Sequence, residues 1–184
     1  AGTTILDPAT GLTPYNNMQK VLKVCHDFVD NFDTNFSNLL FIGQTGVGKT
    51  FLSNCIARAL MDSCHSIIYL TAGEFFDSFK SDDFKEFGSS KFDTSFFVEC
   101  DLLIIDDLGT EKASDYNFSN LFNTINERLL RRKSIIISSN LEMPDIETRY
   151  SQRIFSRLVS AYSILRLFGD DIRCMKKLSP GKRS

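Results

Sequence analysis

The sequence predicts an α/β fold in which a five-stranded, mostly parallel sheet is flanked by helices. Two observations carry this prediction. Short apolar segments alternate with segments whose apolar residues recur at helical spacing. The apolar segments are nearly continuous rather than alternating with polar residues, which is typical of parallel strands covered on both faces.

The elements follow one another in a simple order. The predicted helices cover residues 14–32, 49–62 and 115–132, and the predicted strands cover 38–43, 66–70, 101–106, 134–139 and 162–167. We assign residues 14–178 to one folded domain. Residues 1–13 are expected to be a flexible linker or the remnant of a longer chain, and residues 179–184 a basic C-terminal tail.

Composition excludes several classes of protein. The chain has no apolar run of about 18 residues, so we expect no membrane span, and its N-terminus does not resemble a signal peptide. Its five cysteines lack CxxC spacing and only two histidines accompany them, which argues against a zinc site. We therefore expect buried, reduced thiols and a cytoplasmic location.

Charge is unevenly distributed along the chain. The net charge is −2, but residues 1–120 carry 8 Lys and Arg against 17 Asp and Glu, whereas residues 121–184 carry 13 against 6. This asymmetry indicates one anion-facing end, although solvated helix faces would give the same counts.

A glycine-rich motif, GQTGVGKT, joins the first strand to the second helix. It fits the phosphate-loop pattern GxxxxGK[ST] in the strand–helix context that the pattern requires. Backbone N–H groups and the helix N-terminus attract phosphate there, the Lys49 ammonium faces the outer phosphates, and the Thr50 hydroxyl is a magnesium ligand. The alternative is a glycine-rich turn with an exposed lysine. The predicted nucleotide-binding residues are Gly43, Gln44, Thr45, Gly46, Val47, Gly48, Lys49, Thr50 and Phe51.

A second motif, LLIIDDLG, ends an apolar strand in two carboxylates. Strand ends of an open α/β sheet meet at one crevice, so Asp106 is expected to hold Mg²⁺ through water and Asp107 to position the attacking water. The same letters satisfy the DxxG pattern of GTP-binding switch proteins. No guanine-reading motif follows the next strand, and we therefore favour ATP over GTP.

Polar and basic residues follow in the last third of the chain. Asn140 directly follows the strand 134–139 and is expected to contact the outer phosphate or the attacking water; a helix cap or Asx turn is the alternative. Arg149, Arg153 and Arg157 recur every four residues and are expected to form a stripe on one helix face. Such a stripe is either a solvated face or a source of an arginine that reaches a neighbouring subunit's nucleotide.

Together these motifs resemble the AAA+ ATPases, and within them the bacterial replicative-helicase loaders of the DnaC/DnaI type; IstB-like transposition ATPases are near relatives. LLIIDDLGTE, SSNL, RIFSRL and LFGDDIR carry the resemblance. It implies Walker A at Lys49 and Thr50, Walker B at Asp106 and Asp107, and sensor 1 at Asn140. It also implies an arginine finger at Arg157 or Arg153 and sensor 2 at Arg173.

The resemblance also sets expectations for the architecture. Residues 73–100, rich in phenylalanine, stand where initiators and loaders carry extra helices after the second strand. Most of these rings are expected to pack on the sheet, and exposed ones could stack on single-stranded DNA. The chain has little room for the C-terminal helical lid of many AAA+ proteins, so the lid is expected to be reduced. Such loaders carry an N-terminal helicase-binding domain, which we do not expect within residues 1–184.

The implied function is the ATP-hydrolysing motor of a helicase loader that self-associates, binds a replicative helicase and acts on single-stranded DNA. A Walker B ending in Asp-Asp rather than Asp-Glu is one methylene shorter, which predicts slow, assembly-stimulated hydrolysis. A transposition-associated ATPase on duplex DNA, a P-loop small-molecule kinase and a nucleotide-gated switch with negligible turnover remain alternatives. Asn140 and GDDIR argue against the kinase.

Overall fold

The sheet has five strands, and every neighbouring pair is parallel. The computed structural model describes residues 6–7, 11–80 and 94–172. The strands are β1 (Leu39–Ile42), β2 (Ile67–Thr71), β3 (Leu102–Leu108), β4 (Ser134–Ser139) and β5 (Ser163–Arg166), in the order β2-β3-β4-β1-β5. The five predicted strands and the parallel sheet are thus confirmed.

Seven helices lie within the described residues. They are α1 (Pro14–Asp30), α2 (Lys49–Asp62), α3 (Ala72–Lys80), α4 (Phe96–Glu99), α5 (Asp115–Leu130), α6 (Met143–Arg149) and α7 (Gln152–Ala161). Side chains cap several of them. Thr13 accepts the Asn16 N–H before α1, where Pro14 occupies the first helical position, and Ser114 caps α5 in the same way.

The sheet separates two apolar layers, as the continuous apolar strands predict. Leu103 and Ile105 of β3 pack into the layer beneath α3, α4, α5 and α7, whereas Leu102 and Ile104 pack into the layer beneath α1 and α2. Both layers are closed to solvent at the centre. Each fully buried leucine or isoleucine contributes about 1.5–3 kcal/mol relative to an exposed one, so the sheet is a rigid base for the groups at its carboxyl edge.

Residues 149–158 do not form the continuous helix that the arginine spacing predicted. Tyr150 and Ser151 are extended, α6 ends at Arg149, and α7 begins at Gln152. The Ser151 hydroxyl accepts the Ile154 N–H and starts the new helix. Arg149 therefore does not share a helix with Arg153, and the expected three-arginine stripe is wrong.

The predicted burial of the cysteines and phenylalanines holds only in part. Cys25 and Cys100 are buried, and burial raises the pKa of the Cys25 thiol to about 11, but Cys55 and Cys64 are exposed. Phe75, Phe76 and Phe97 belong to the core, Phe79 packs against it and Phe96 is exposed. Phe84, Phe87, Phe92 and Cys174 lie outside the described residues.

Part of the expected N-terminal linker contacts the domain. The Asp7 side chain is buried and accepts a hydrogen bond from the Arg166 guanidinium at 3.1 Å. Arg166 ends β5 and also approaches Glu142. The described residues before α1 therefore lie against the carboxyl edge of the sheet.

Candidate nucleotide-binding site

The loop after β1 has the backbone shape that its glycines allow. Gly43, Gly46 and Gly48 have φ values of 143°, 85° and 108°, a region that other residues rarely adopt. A Cβ on Gly43 would lie 2.0 Å from the Leu167 carbonyl oxygen, and one on Gly46 would overlap the Asp171 carboxylate. The loop therefore turns tightly beneath residues 167–172, and glycine is required at both positions.

Lys49 begins α2 and turns its ammonium back into this loop. The side chain is only 4% exposed. Its Nζ donates to the carbonyl oxygens of Gly43 and Gln44 at 2.5 and 2.8 Å, and to the Asn140 amide oxygen at 2.7 Å. These acceptors hold the ammonium group inside the loop, in the position that suits a cation for phosphate oxygens. The exposed-lysine alternative is thereby excluded.

The two carboxylates near the carboxyl end of β3 stand on a β-bulge. Ile105 pairs with Ile137, but Leu108 pairs with Ser139, so Asp106 and Asp107 together oppose one residue of β4. Asp107 has a φ of 58°, a left-handed conformation that aspartate tolerates better than most residues.

Ser138 of β4 holds both sides of the bulge. Its hydroxyl accepts the Asp107 N–H at 3.0 Å and donates to an oxygen of the Asp106 carboxylate. The Tyr69 hydroxyl donates to the other Asp106 oxygen at 2.9 Å. Burial, and then the Asp106 charge, raise the pKa of Tyr69 above its usual range, so this hydroxyl stays a donor.

Asn140 lies between the loop and the bulge. Its amide oxygen accepts from Lys49, and its Nδ2 donates to the Asp107 carboxylate at 3.2 Å. The structure thus joins three residues that the sequence predicted separately: Lys49, Asp107 and Asn140. We refer to them as the Lys49–Asn140–Asp107 network.

The two arginines expected to reach a neighbouring nucleotide lie on α7, which contributes no residue to this network. Arg153 and Arg157 are exposed on α7, and Arg157 donates to the Asn126 amide oxygen of α5 at 3.1 Å. Arg173 lies outside the described residues. Thr50 stands beside Lys49 in the first turn of α2, and Phe51 next to it is 70% exposed.

The oxygen ligands offered here suit magnesium. In the described residues no group of three or more His, Cys, Asp and Glu side chains could hold a metal ion. A hydroxyl at Thr50 and a carboxylate at Asp106 are hard oxygen ligands, and Mg²⁺ is commonly held by one or two such groups together with phosphate oxygens and water. The residues present therefore fit a nucleotide-borne Mg²⁺.

The segment after β5 covers the phosphate loop. The Leu167 N–H donates to the Ile42 carbonyl at 2.8 Å, and the Ile172 N–H donates to the Gly46 carbonyl at 3.1 Å. Met18 of α1 and Ile172 each lie 3.8 Å from the position a Cβ on Gly48 would take. An apolar wall thus borders the loop on the α1 side.

Sequence reasoning missed Tyr69 and Ser138. Both belong to strands read only as apolar segments, SIIYL and SIIISS. Their polar groups were the available signal, because a hydroxyl in a buried parallel strand requires a partner.

A five-stranded parallel sheet with a phosphate loop after β1, two carboxylates near the carboxyl end of β3 and a polar side chain after β4 defines a P-loop nucleotide-binding domain. Residues 17–179 match the family described as IstB-like ATP binding protein. The chain belongs to that family.

Relatives and solved structures agree with this assignment. The chain is 24% identical over 151 residues to the replicative helicase loader DnaC of Escherichia coli strain K12, covering 82% of this chain and 61% of the relative. A crystal structure of the DnaC helicase loader superposes with a TM-score of 0.68 at 22% identity, covering 83% of this chain and 90% of that one.

The replication initiator DnaA bound to AMPPCP and single-stranded DNA superposes with a TM-score of 0.71 at 19% identity, covering 98% of this chain and 58% of that one. The chain spans about three fifths of the length of the curated relative. Within the described residues, no helix combines the length and the apolar character needed to cross a membrane.

Proposed function

We propose that this domain hydrolyses ATP with Mg²⁺ and serves as the motor of a helicase loader that acts on single-stranded DNA. The observation that carries the proposal is the Lys49–Asn140–Asp107 network, with Lys49 held by three oxygen acceptors. The network brings together a cation that can bind phosphate, an amide that can sense the phosphate and a carboxylate that can orient a water molecule.

Each member has a distinct role. Lys49 neutralises charge on the outer phosphates, and the N–H groups of residues 43–50 bind their oxygens. Asp107 orients the attacking water and accepts its proton, while Asn140 holds the Asp107 carboxylate toward the loop. A bound Mg²⁺ would draw charge from the phosphates, and Thr50 and Asp106 are the residues that would hold it.

An arginine from a second copy of the chain completes the proposed site. Arg153 and Arg157 are exposed on α7, where they can reach a neighbouring molecule. A guanidinium stabilises charge spread over the transferring phosphoryl oxygens, so hydrolysis depends on assembly. Arg173 is proposed as a contact to the nucleotide of its own chain.

The loader role rests on the relatives. DnaC is described as a replicative helicase loader, and the DnaA structure contains single-stranded DNA. We extend these partners, a replicative helicase and single-stranded DNA, to this chain, together with a cytoplasmic location. The family match favours a second candidate, a transposition-associated ATPase on duplex DNA.

Two measurements on the full chain test the proposal. Lys49→Ala is expected to abolish ATP binding, with exposed Lys112→Ala as the control, and unchanged affinity of the Lys49 variant would refute the site. In the presence of ATP and Mg²⁺, affinity for single-stranded DNA is expected to exceed affinity for duplex DNA. The opposite preference would replace the loader by the transposition-associated ATPase.

A further inference from the structure

The buried carboxylate of Glu111 lies between the loop after β3 and the junction of α6 and α7. Its side chain is 3% exposed. Oε2 accepts the Gly109 N–H at 2.8 Å, and Oε1 accepts the Tyr150 hydroxyl at 2.6 Å. One side chain therefore joins two segments that are 41 residues apart in the chain.

The charge of this carboxylate is compensated by a neighbouring arginine. Arg149 places Nε 3.4 Å from Oε1 and donates through Nη2 to the Glu111 carbonyl. Burial first, and then the hydrogen bond to Glu111, raise the pKa of Tyr150 above its usual range. A buried ionised group held by several donors fixes geometry strongly, because losing any one donor leaves the charge undersolvated.

Both ends of this link stand next to functional residues. Gly109 follows Asp107 by two positions, on the loop that leaves the bulge. Tyr150 directly follows α6, its ring packs on Phe118 of α5 with centroids 5.2 Å apart, and α7 begins two residues later. α7 carries Arg153 and Arg157.

We propose that Glu111 is a positioning residue that couples the Asp107 loop to α7. A shift of the loop on nucleotide binding or hydrolysis moves Gly109, and the carboxylate passes that shift to Tyr150 and so to the exposed arginines. The coupling rests on the proposed assembly-dependent hydrolysis. Without the coupling, each subunit would still bind ATP. The α7 arginines that the subunit presents to its neighbour would then not respond to the nucleotide bound in the same subunit.

Two variants of the full chain test the coupling. Glu111→Gln removes the charge and retains one carbonyl acceptor, and Tyr150→Phe removes only the hydroxyl. Glu127→Gln, a change in an exposed carboxylate on α5, is the matched control. For each protein, ATP affinity, thermal midpoint and turnover are measured, the turnover both in dilute protein and at concentrations where wild type is stimulated.

The expected result is a separation of these readouts. Glu111→Gln and Tyr150→Phe keep ATP affinity and dilute turnover, but lose stimulation by about tenfold, within the usual range of coupling between sites. The double variant is no worse than Glu111→Gln, because both changes cut the same link. Full stimulation of the Tyr150→Phe variant would overturn the coupling. A parallel loss of ATP affinity, dilute turnover and stimulation that follows the loss of thermal stability would overturn it as well.

The outcome for wild type separates the two proposals. A wild-type protein that fails to bind ATP, or whose turnover does not rise with concentration, contradicts the proposed function, and the coupling falls with it. A stimulated wild type with equally stimulated variants contradicts the coupling alone.

Discussion

The Lys49 ammonium nitrogen lies 2.7 Å from the side-chain amide oxygen of Asn140. The same amide donates to Asp107 from its nitrogen, so a cation on one side and a carboxylate on the other define which way the amide faces. Removing the Asn140 side chain should therefore affect the orientation of the water-directing carboxylate more than the affinity for ATP.

Asn140→Ala is expected to lower turnover by about 100-fold, as for loss of one preorganised donor near a reacting group. ATP affinity should change by less than about threefold, since Lys49 retains its two carbonyl acceptors. Steady-state turnover and equilibrium binding of a fluorescent ATP analogue measure the two effects. Asn123→Ala, on the exposed face of α5, is the control, and a loss of affinity equal to the loss of turnover would contradict this role.

Asp107→Asn and Asp107→Glu should fail for different reasons. Asn keeps the short side chain that tolerates the left-handed backbone, but it cannot accept a proton, so turnover should fall by about 100-fold or more at unchanged stability. Glu keeps the charge but tolerates the left-handed backbone of the bulge less well. The free energy of unfolding should fall by about 1 kcal/mol, which lowers the melting temperature by about 2–4 °C. Calorimetry and turnover separate the two variants, and a Glu variant as stable as wild type would show that the bulge places no demand on residue 107.

Asp171→Asn is expected to tighten ATP binding. The Asp171 carboxylate packs against Gly46 of the phosphate loop, so its negative charge opposes the arriving phosphates. Removing the charge should improve affinity by about three- to tenfold at low ionic strength and by less at high salt, because salt screens the repulsion. Asp170→Asn, one residue earlier and exposed, is the control. Weaker binding by Asp171→Asn would mean that this carboxylate assists the nucleotide.

Arg128→Met should be strongly destabilising. The guanidinium is fully buried and donates to four backbone carbonyls, and burial lowers the pKa of this group. Loss of these donors leaves carbonyls unpaired, at a cost of about 3 kcal/mol or more. Denaturant unfolding measures the free energy of unfolding of this variant. Arg131→Met is the control, because the exposed ion pair of Arg131 with Glu127 contributes only about 0–1 kcal/mol. Equal stability of the two variants would contradict the buried role of Arg128.

Sequence patterns predicted the parts of the site that depend on local chain order. Continuous apolar runs identified the strands, and the glycines with Lys49 identified the loop, because each pattern follows from one segment alone. The order of the strands was not predictable, because the five apolar runs are chemically alike. The bulge at Asp106 and Asp107 arises from pairing with β4, which no single segment reveals.

The helix break at Tyr150 was wrongly read for another reason. Arginines every four residues favoured a continuous helix, and that periodic signal outweighed the cap at Ser151. Serine is a common helix start, so a local signal was present. The hydroxyl partners of Asp106 on β2 and β4 required the three-dimensional structure, since they come from distant strands.

β1 lies inside the sheet, bonded to β4 on one side and to β5 on the other. The strand that leads into the phosphate loop therefore has little freedom to shift when the occupant of the site changes. If the domain acts as the proposed motor, its conformational change is expected at the edge of the site: the loop after β3, the turn after β4 and residues 167–172. On the proposed function, cleavage of one phosphate bond would then change the outer surface of the protein while the central strand keeps its place.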